Sequence, residues 1–192
     1  MGIKTFFAIL AFLFSASAYV FYVKSVLGSS SRPTLSSWIS WGLMDAAILG
    51  GMVAAGEMAW QLVAYVAGVG CVIGASIYKK ATVDWKRLDS YCLVIVICAI
   101  VLWTISGNPN VAIVLSLVAI TIGSIPLTVN LWRDPSREPR LPWLLILAGG
   151  VFGVLAIREW NIAAALTPVW FLLIMVFFVF LMFRTPHSCK AA

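Results

Sequence analysis

With 62% hydrophobic and only 10% charged side chains in 192 residues, the chain leaves almost nothing from which to build a soluble domain. Its net charge of +6 is spread over short loops between apolar runs, a pattern of solvated turns that argues against a nucleic-acid partner. The four cysteines and the one histidine suggest neither a disulfide framework nor a metal site, because Cys71, Cys92 and Cys98 fall inside apolar runs while Cys189 and His187 lie in the tail.

The first apolar run covers about residues 5–27, after Lys4. Its Ala16-Ser17-Ala18 copies the small-x-small pattern of a signal cleavage site. Cleavage there would put the basic loops outside, so the run is read as a retained helix. Six more runs follow at about 35–56, 59–79, 88–106, 109–132, 141–157 and 161–183, each near the roughly 20 residues a helix needs to cross a hydrocarbon core. The expected fold is all-α and integral to a membrane, with seven transmembrane helices.

If the runs alternate in direction, the face holding the N-terminus has two basic residues, Lys4 and Arg158. The other face has eleven: Lys24, Arg32, Lys79, Lys80, Lys86, Arg87, Arg133, Arg137, Arg140, Arg184 and Lys190. This bias predicts an outside N-terminus and a cytoplasmic C-terminus in a plasma or inner membrane.

The chain also repeats. Arg32-Pro33-Thr34-Leu35-Ser36-Ser37-Trp38 after the first run matches Glu138-Pro139-Arg140-Leu141-Pro142-Trp143 after the fifth, with one gap. Trp60-Gln61 opens the third run and Trp160-Asn161 the seventh, after Glu57 and Glu159 respectively. The pattern predicts a first three-helix repeat over 1–80, a linker loop and helix over 81–108, a second repeat over 109–184 and a tail over 185–192. The odd linker helix makes the repeats parallel, which places a working site between them near the midplane.

Ile125-Pro126-Leu127-Thr128-Val129-Asn130-Leu131-Trp132-Arg133-Asp134-Pro135-Ser136 resembles the PQ-loop signature, and the 3+1+3 plan is similar to that of SWEET sugar transporters. The resemblance implies alternating access by two triple-helix bundles, with hinges at Pro33, Pro126, Pro142 and, by its position in the seventh run, Pro168. The chain departs from that pattern where Leu127 replaces the signature glutamine and Val20 stands opposite Pro126 in the first repeat. Trp38-Ile39-Ser40-Trp41 is similar to a WxxW of nicotinamide riboside carriers of the PnuC type, and hints at a flat aromatic ligand.

Asp45 is the most informative residue. A lipid-exposed aspartate in mid-span costs about 2.5–3.5 kcal/mol on insertion scales, so it is expected to face the interior. At helical spacing it shares a stripe with Trp38, Trp41 and Met52. Indole faces suit rings and cations, and a carboxylate can bind a cation or carry a proton. The plainer alternative makes Trp38 an interfacial anchor and Trp41 and Asp45 packing residues. Gln61 and Asn161, at repeat-equivalent positions, could grip a ligand or bond a helix end; Asn130 could gate or cap. Thr167-Pro168 can kink the seventh run, and Gly50-Gly51 and Gly149-Gly150 suit close helix contact.

These features predict a carrier or facilitator for an uncharged or cationic ring-containing solute, such as a sugar, nucleoside or vitamin. Its site would comprise Trp38, Trp41, Asp45, Gln61, Asn130 and Asn161. Its expected partners are membrane lipids and the solute, as a monomer or small homo-oligomer, without cofactor or metal. A transport-inactive receptor or structural protein on the same fold is the alternative. Catalysis is disfavoured because no serine–histidine pair, metal cluster or paired acids fall within the spans, and a retinal Schiff base because every lysine lies at a span end or in a loop.

Overall fold

The computed structural model describes residues 2–29, 31–54, 60–80, 85–107, 109–160 and 162–184, with side chains except at 51–52, 54, 60–61, 109–110, 112–113 and 162–164. Among the described residues the chain forms seven α-helices: α1 (Ile3–Leu27), α2 (Leu35–Ala54), α3 (Trp60–Tyr78), α4 (Arg87–Ser106), α5 (Pro109–Arg133), α6 (Arg140–Leu155) and α7 (Ile162–Phe183). A single 3-10 turn, Pro135–Arg137, joins α5 to α6.

Each helix arises from an apolar run with few internal charges, where intrahelical hydrogen bonds are the way to satisfy the backbone without water. Several hydroxyls inside the runs bond back along their own helix, as Ser40 does to the Ser36 carbonyl at 2.9 Å, Ser76 to Val72 at 2.7 Å and Ser124 to Ile120 at 2.7 Å. Ile3–Leu27, Arg87–Ser106, Val114–Arg133 and Ala165–Phe183 are long and apolar enough to cross a membrane. Large apolar side chains on them, including Phe6, Leu13, Leu102, Ile105 and Phe180, are exposed, which water would penalise and lipid tails do not. The chain is thus an all-α protein built for membrane insertion.

Helix ends follow local chemistry. Gly107 closes α4 with a left-handed φ of 59°, a conformation glycine adopts without strain, and Pro109 opens α5, where a missing N–H costs nothing. At the start of α4, Asp89 accepts the Lys86 N–H at 2.6 Å and also takes the Ser36 hydroxyl, docking α4 on α2. Asp134 accepts both the N–H and the hydroxyl of Ser136, bonds that hold its carboxyl below the usual range.

Consecutive helices are not always neighbours. α1 packs on α3 and α6, α2 on α3 and α5, and α7 on α5 and α6, whereas among the described residues the backbones of α1 and α2, and of α5 and α6, do not run side by side, α1 meeting α2 through side chains such as Tyr22 and Trp38. Exchanging α1 with α5, α2 with α6 and α3 with α7 leaves this set of pairs unchanged. α4 stands apart, packing on α5 and α2 through Met44, Val96, Ala99 and Ala119. The main core draws on the other six helices, with Tyr22, Trp38, Val72, Leu127, Trp143 and Phe178 at its centre.

Glycines set the close approaches, the tightest being Gly68 of α3 against the Tyr19 ring of α1, where a Cβ would run into the ring, and two others pair across the bundle. A Cβ on Gly149 of α6 would meet Ser15 Oγ of α1 at 2.5 Å, and one on Gly123 of α5 would meet Ser40 Cβ of α2 at 2.8 Å. These are the α1–α6 and α5–α2 contacts that the exchange interconverts. Close contact was expected at both glycine pairs of the sequence, but Gly50 has nothing within 4 Å, because it lies on an exposed face of α2.

Candidate functional site

The end of the bundle where α1 finishes and α2 and α6 begin is the basic end, and it is sealed by a buried polar chain. Glu138 lies in the short connection before α6 and is 3% exposed. Its Oε2 accepts the Tyr22 hydroxyl at 2.5 Å and Trp143 Nε1–H at 3.2 Å. Trp38 Nε1–H in turn donates to the Tyr22 oxygen at 3.2 Å. One carboxylate thereby orders aromatic side chains from α1, α2 and α6, and such chained bonds strengthen one another away from water. Burial pushes the Glu138 carboxyl up to about 7, against the opposing pull of the Tyr22 and Trp143 hydrogen bonds and the Arg137 charge.

Further bonds cross the same layer. The Arg32 N–H donates to the Arg137 carbonyl at 2.9 Å, tying together the two repeat-related connections. Past the helix-breaking Pro126, the Leu127 N–H donates to Ser37 Oγ of α2 at 3.1 Å. Asn130 Nδ2 donates to Thr34 Oγ1 at 3.0 Å. Arg184 lies over the Trp132 ring at 4.1 Å from its centroid and donates to the Trp132 carbonyl.

Beyond the tryptophans lies a cavity of about 350 Å³, lined by α1, α2, α3, α5, α6 and α7 and not by α4. Trp38 and Trp143, 6.1 Å apart between centroids and both almost fully buried, form its floor, with Trp41 5.4 Å from Trp38 and 6.1 Å from Trp143. Tyr19, Tyr65 and Phe171 add aromatic wall, the last two stacked at 6.2 Å. The cavity runs toward the opposite end as far as Leu62, Gly153 and Thr167.

Asp45 faces this space. It is partly exposed, lines the cavity and has no hydrogen-bond or ion-pair partner among the described residues, while the lining includes no lysine, arginine or histidine. No group of three or more potential metal ligands occurs among the described residues.

The structure thus brings Trp38, Trp41 and Asp45 to one wall, together with Met44 and Ile48. Trp38 is 2% exposed, so the alternative of an interfacial anchor does not hold for it: its ring caps the core and its N–H is used by Tyr22. Asn130 is not at the cavity; it bonds Thr34 in the sealed layer. The Gln61 side chain, the Met52 side chain and Asn161 lie outside what is described. Pro33 lies just before α2, Pro142 in the first turn of α6, Pro126 within α5 and Pro168 within α7, where it lines the cavity. Cys71, Cys92 and Cys98 are unpaired.

Sequence reasoning missed Tyr19, Tyr22, Tyr65, Glu138, Trp143 and Phe171. Trp143 was findable, since it aligns with Trp38 in the repeat, and Glu138 stands opposite Arg32 in that same alignment. The tyrosines gave no signal, because aromatic residues are common throughout these runs.

Compared with family models, curated proteins and solved structures, the chain finds no match, so the reading of its site rests on its own geometry.

Proposed function

We propose that the chain is a small-molecule carrier whose seven helices all span the membrane, arranged as two parallel three-helix repeats joined by α4, with the N-terminus outside and the basic end in the cytoplasm. The observation that carries this reading is the cavity of about 350 Å³, walled by the six repeat helices and closed at the basic end by Trp38 and Trp143. A volume near the low end of ligand pockets, with a few polar groups on an aromatic wall, fits a small solute. Support for the repeat comes from the neighbour pattern, which survives exchange of α1–α3 with α5–α7. The resemblance to PQ-loop and SWEET transporters implies the same plan.

In this reading the sealed layer is the inner gate. Opening it separates α1 and α2 from α6 by breaking the Tyr22–Glu138 and Arg32–Arg137 bonds, while the Trp38–Tyr22 bond stays within the α1–α2 side. The close glycine contacts at Gly149 and Gly123 let backbones slide, and Pro126 and Pro168 lower the cost of bending α5 and α7.

A cysteine placed at Ile48 or Gly153, in a chain whose native cysteines are replaced, tests the cycle. An impermeant thiol reagent applied from each side of proteoliposomes is expected to reach it from both, with a solute shifting the ratio. Labelling from one side alone, together with no solute flux, would favour a receptor or structural protein on the same fold.

A further inference from the structure

Among the described residues, Asp45 is the lone carboxylate on the cavity wall, and the described lining holds no cation to neutralise it. The same cavity is lined by the aromatic rings of Trp41, Tyr19, Tyr65 and Phe171. A buried or half-buried carboxylate without a partner is costly, and the cost is relieved when a ligand supplies the opposite charge. Aromatic faces carry negative quadrupole density and attract diffuse cations, the more strongly once water is displaced.

The same wall is poorly made for the other solute classes. A polyhydroxyl solute would surrender many hydrogen bonds to water, and the lining returns few. Of its hydroxyls, Ser124 is already bonded to the Ile120 carbonyl and Tyr65 is 3.3 Å from Ser15 Oγ. An anion would meet Asp45 with no compensating base.

We propose that the cavity binds a small organic monocation, a quaternary or protonated amine, whose charge is neutralised by Asp45 and whose alkyl or aryl groups lie against the surrounding rings. This deepens the carrier reading and rests on the same cavity, but binding and transport are separable. The cavity volume admits one such ion and excludes a long polycation.

The test is equilibrium binding to the purified full-length chain in detergent, followed by tryptophan fluorescence, because Trp38, Trp41 and Trp143 line the cavity. The probes are choline, benzyltrimethylammonium and 3,3-dimethylbutan-1-ol, the uncharged isostere of choline. Both cations are expected to saturate the signal, and the isostere to bind at least about tenfold more weakly. Asp45→Asn is expected to abolish that preference, Asp45→Glu to keep it, and Tyr65→Ala to weaken both cations. Equal binding of choline and its isostere, an unchanged preference in Asp45→Asn, or no saturable binding of either cation would overturn the proposal. Counterflow of the same probes in proteoliposomes separates the two readings. Cation binding without flux supports the site and removes the carrier function. Flux of glucose or a nucleoside without cation binding overturns the proposal and leaves the carrier standing.

Discussion

Asp45 and Glu138 both lie inside this bundle, and their surroundings differ in every respect. Glu138 is enclosed, accepts from Tyr22 and Trp143, and holds three helices in register at the basic end. Asp45 faces an aromatic cavity with no partner among the described residues. An acid that accepts two buried donors organises structure, because removing it orphans them. An acid beside open space with no partner among the described residues presents a demand that a ligand can meet, and this contrast underlies the proposed division into gate and site.

The largest effect is expected from Glu138→Ala. It leaves the Tyr22 hydroxyl and the Trp143 N–H buried without their acceptor, each costing about 1–3 kcal/mol, so a loss of about 3 kcal/mol in unfolding measured in detergent is expected. A variant as stable as the parent would show that the buried chain does not hold the layer.

Next in size is the pH dependence. The Glu138 carboxyl is raised from its ordinary 4.5 to about 7, so the folded protein holds this proton more tightly than the unfolded chain. Its contribution is fully present below the unfolded value and is lost as pH rises through about 7, at about 1.4 kcal/mol per unit between the two values. Melting temperature should therefore fall between pH 5 and pH 7.5, and Glu138→Gln should flatten that slope. A slope unaffected by this variant would move the titration elsewhere.

Tyr22→Phe removes the donor to Glu138 and the acceptor of Trp38 while keeping the ring, and is expected to cost about 1.5 kcal/mol. Because it loosens the gate without touching the cavity wall, impermeant thiol labelling of a cavity cysteine from the basic side should rise. No change in labelling would detach the layer from gating.

The smallest effect on stability is expected at Asp45. Asp45→Asn removes a carboxyl that has no partner among the described residues, so the protein should be unchanged or more stable by about 0.5 kcal/mol, within the range of substitutions that break no contact. A loss of 2 kcal/mol or more on the scale of core substitutions would mean that Asp45 is a packing residue and that the contrast with Glu138 is false.

Helix positions were legible almost to the residue, since a run of apolar side chains bounded by charges or prolines leaves the backbone little choice in lipid. Of the candidate site, Trp38, Trp41 and Asp45 were legible from spacing on a single helix. Asn130, whose position near the end of α5 fits a gate and a cap equally well, lies away from the cavity and bonds Thr34 just before α2, a partner that no spacing within α5 announces. Glu138 was hidden for the opposite reason: an acid in a short polar connection reads as solvated, and its burial depends on α1, α2 and α6 closing over it.

The sequence by itself determined that this is an all-helical membrane protein and where its helices begin and end, because hydrophobic length and turn chemistry are local properties. Only the tertiary structure decided that Trp38 faces Trp143, that six helices line a cavity, and that Glu138 is bonded while Asp45 lines the cavity with no partner among the described residues. Those outcomes depend on which faces meet across the bundle, and that is fixed by close contacts such as Gly149 against Ser15 and Gly123 against Ser40, between residues far apart in the chain.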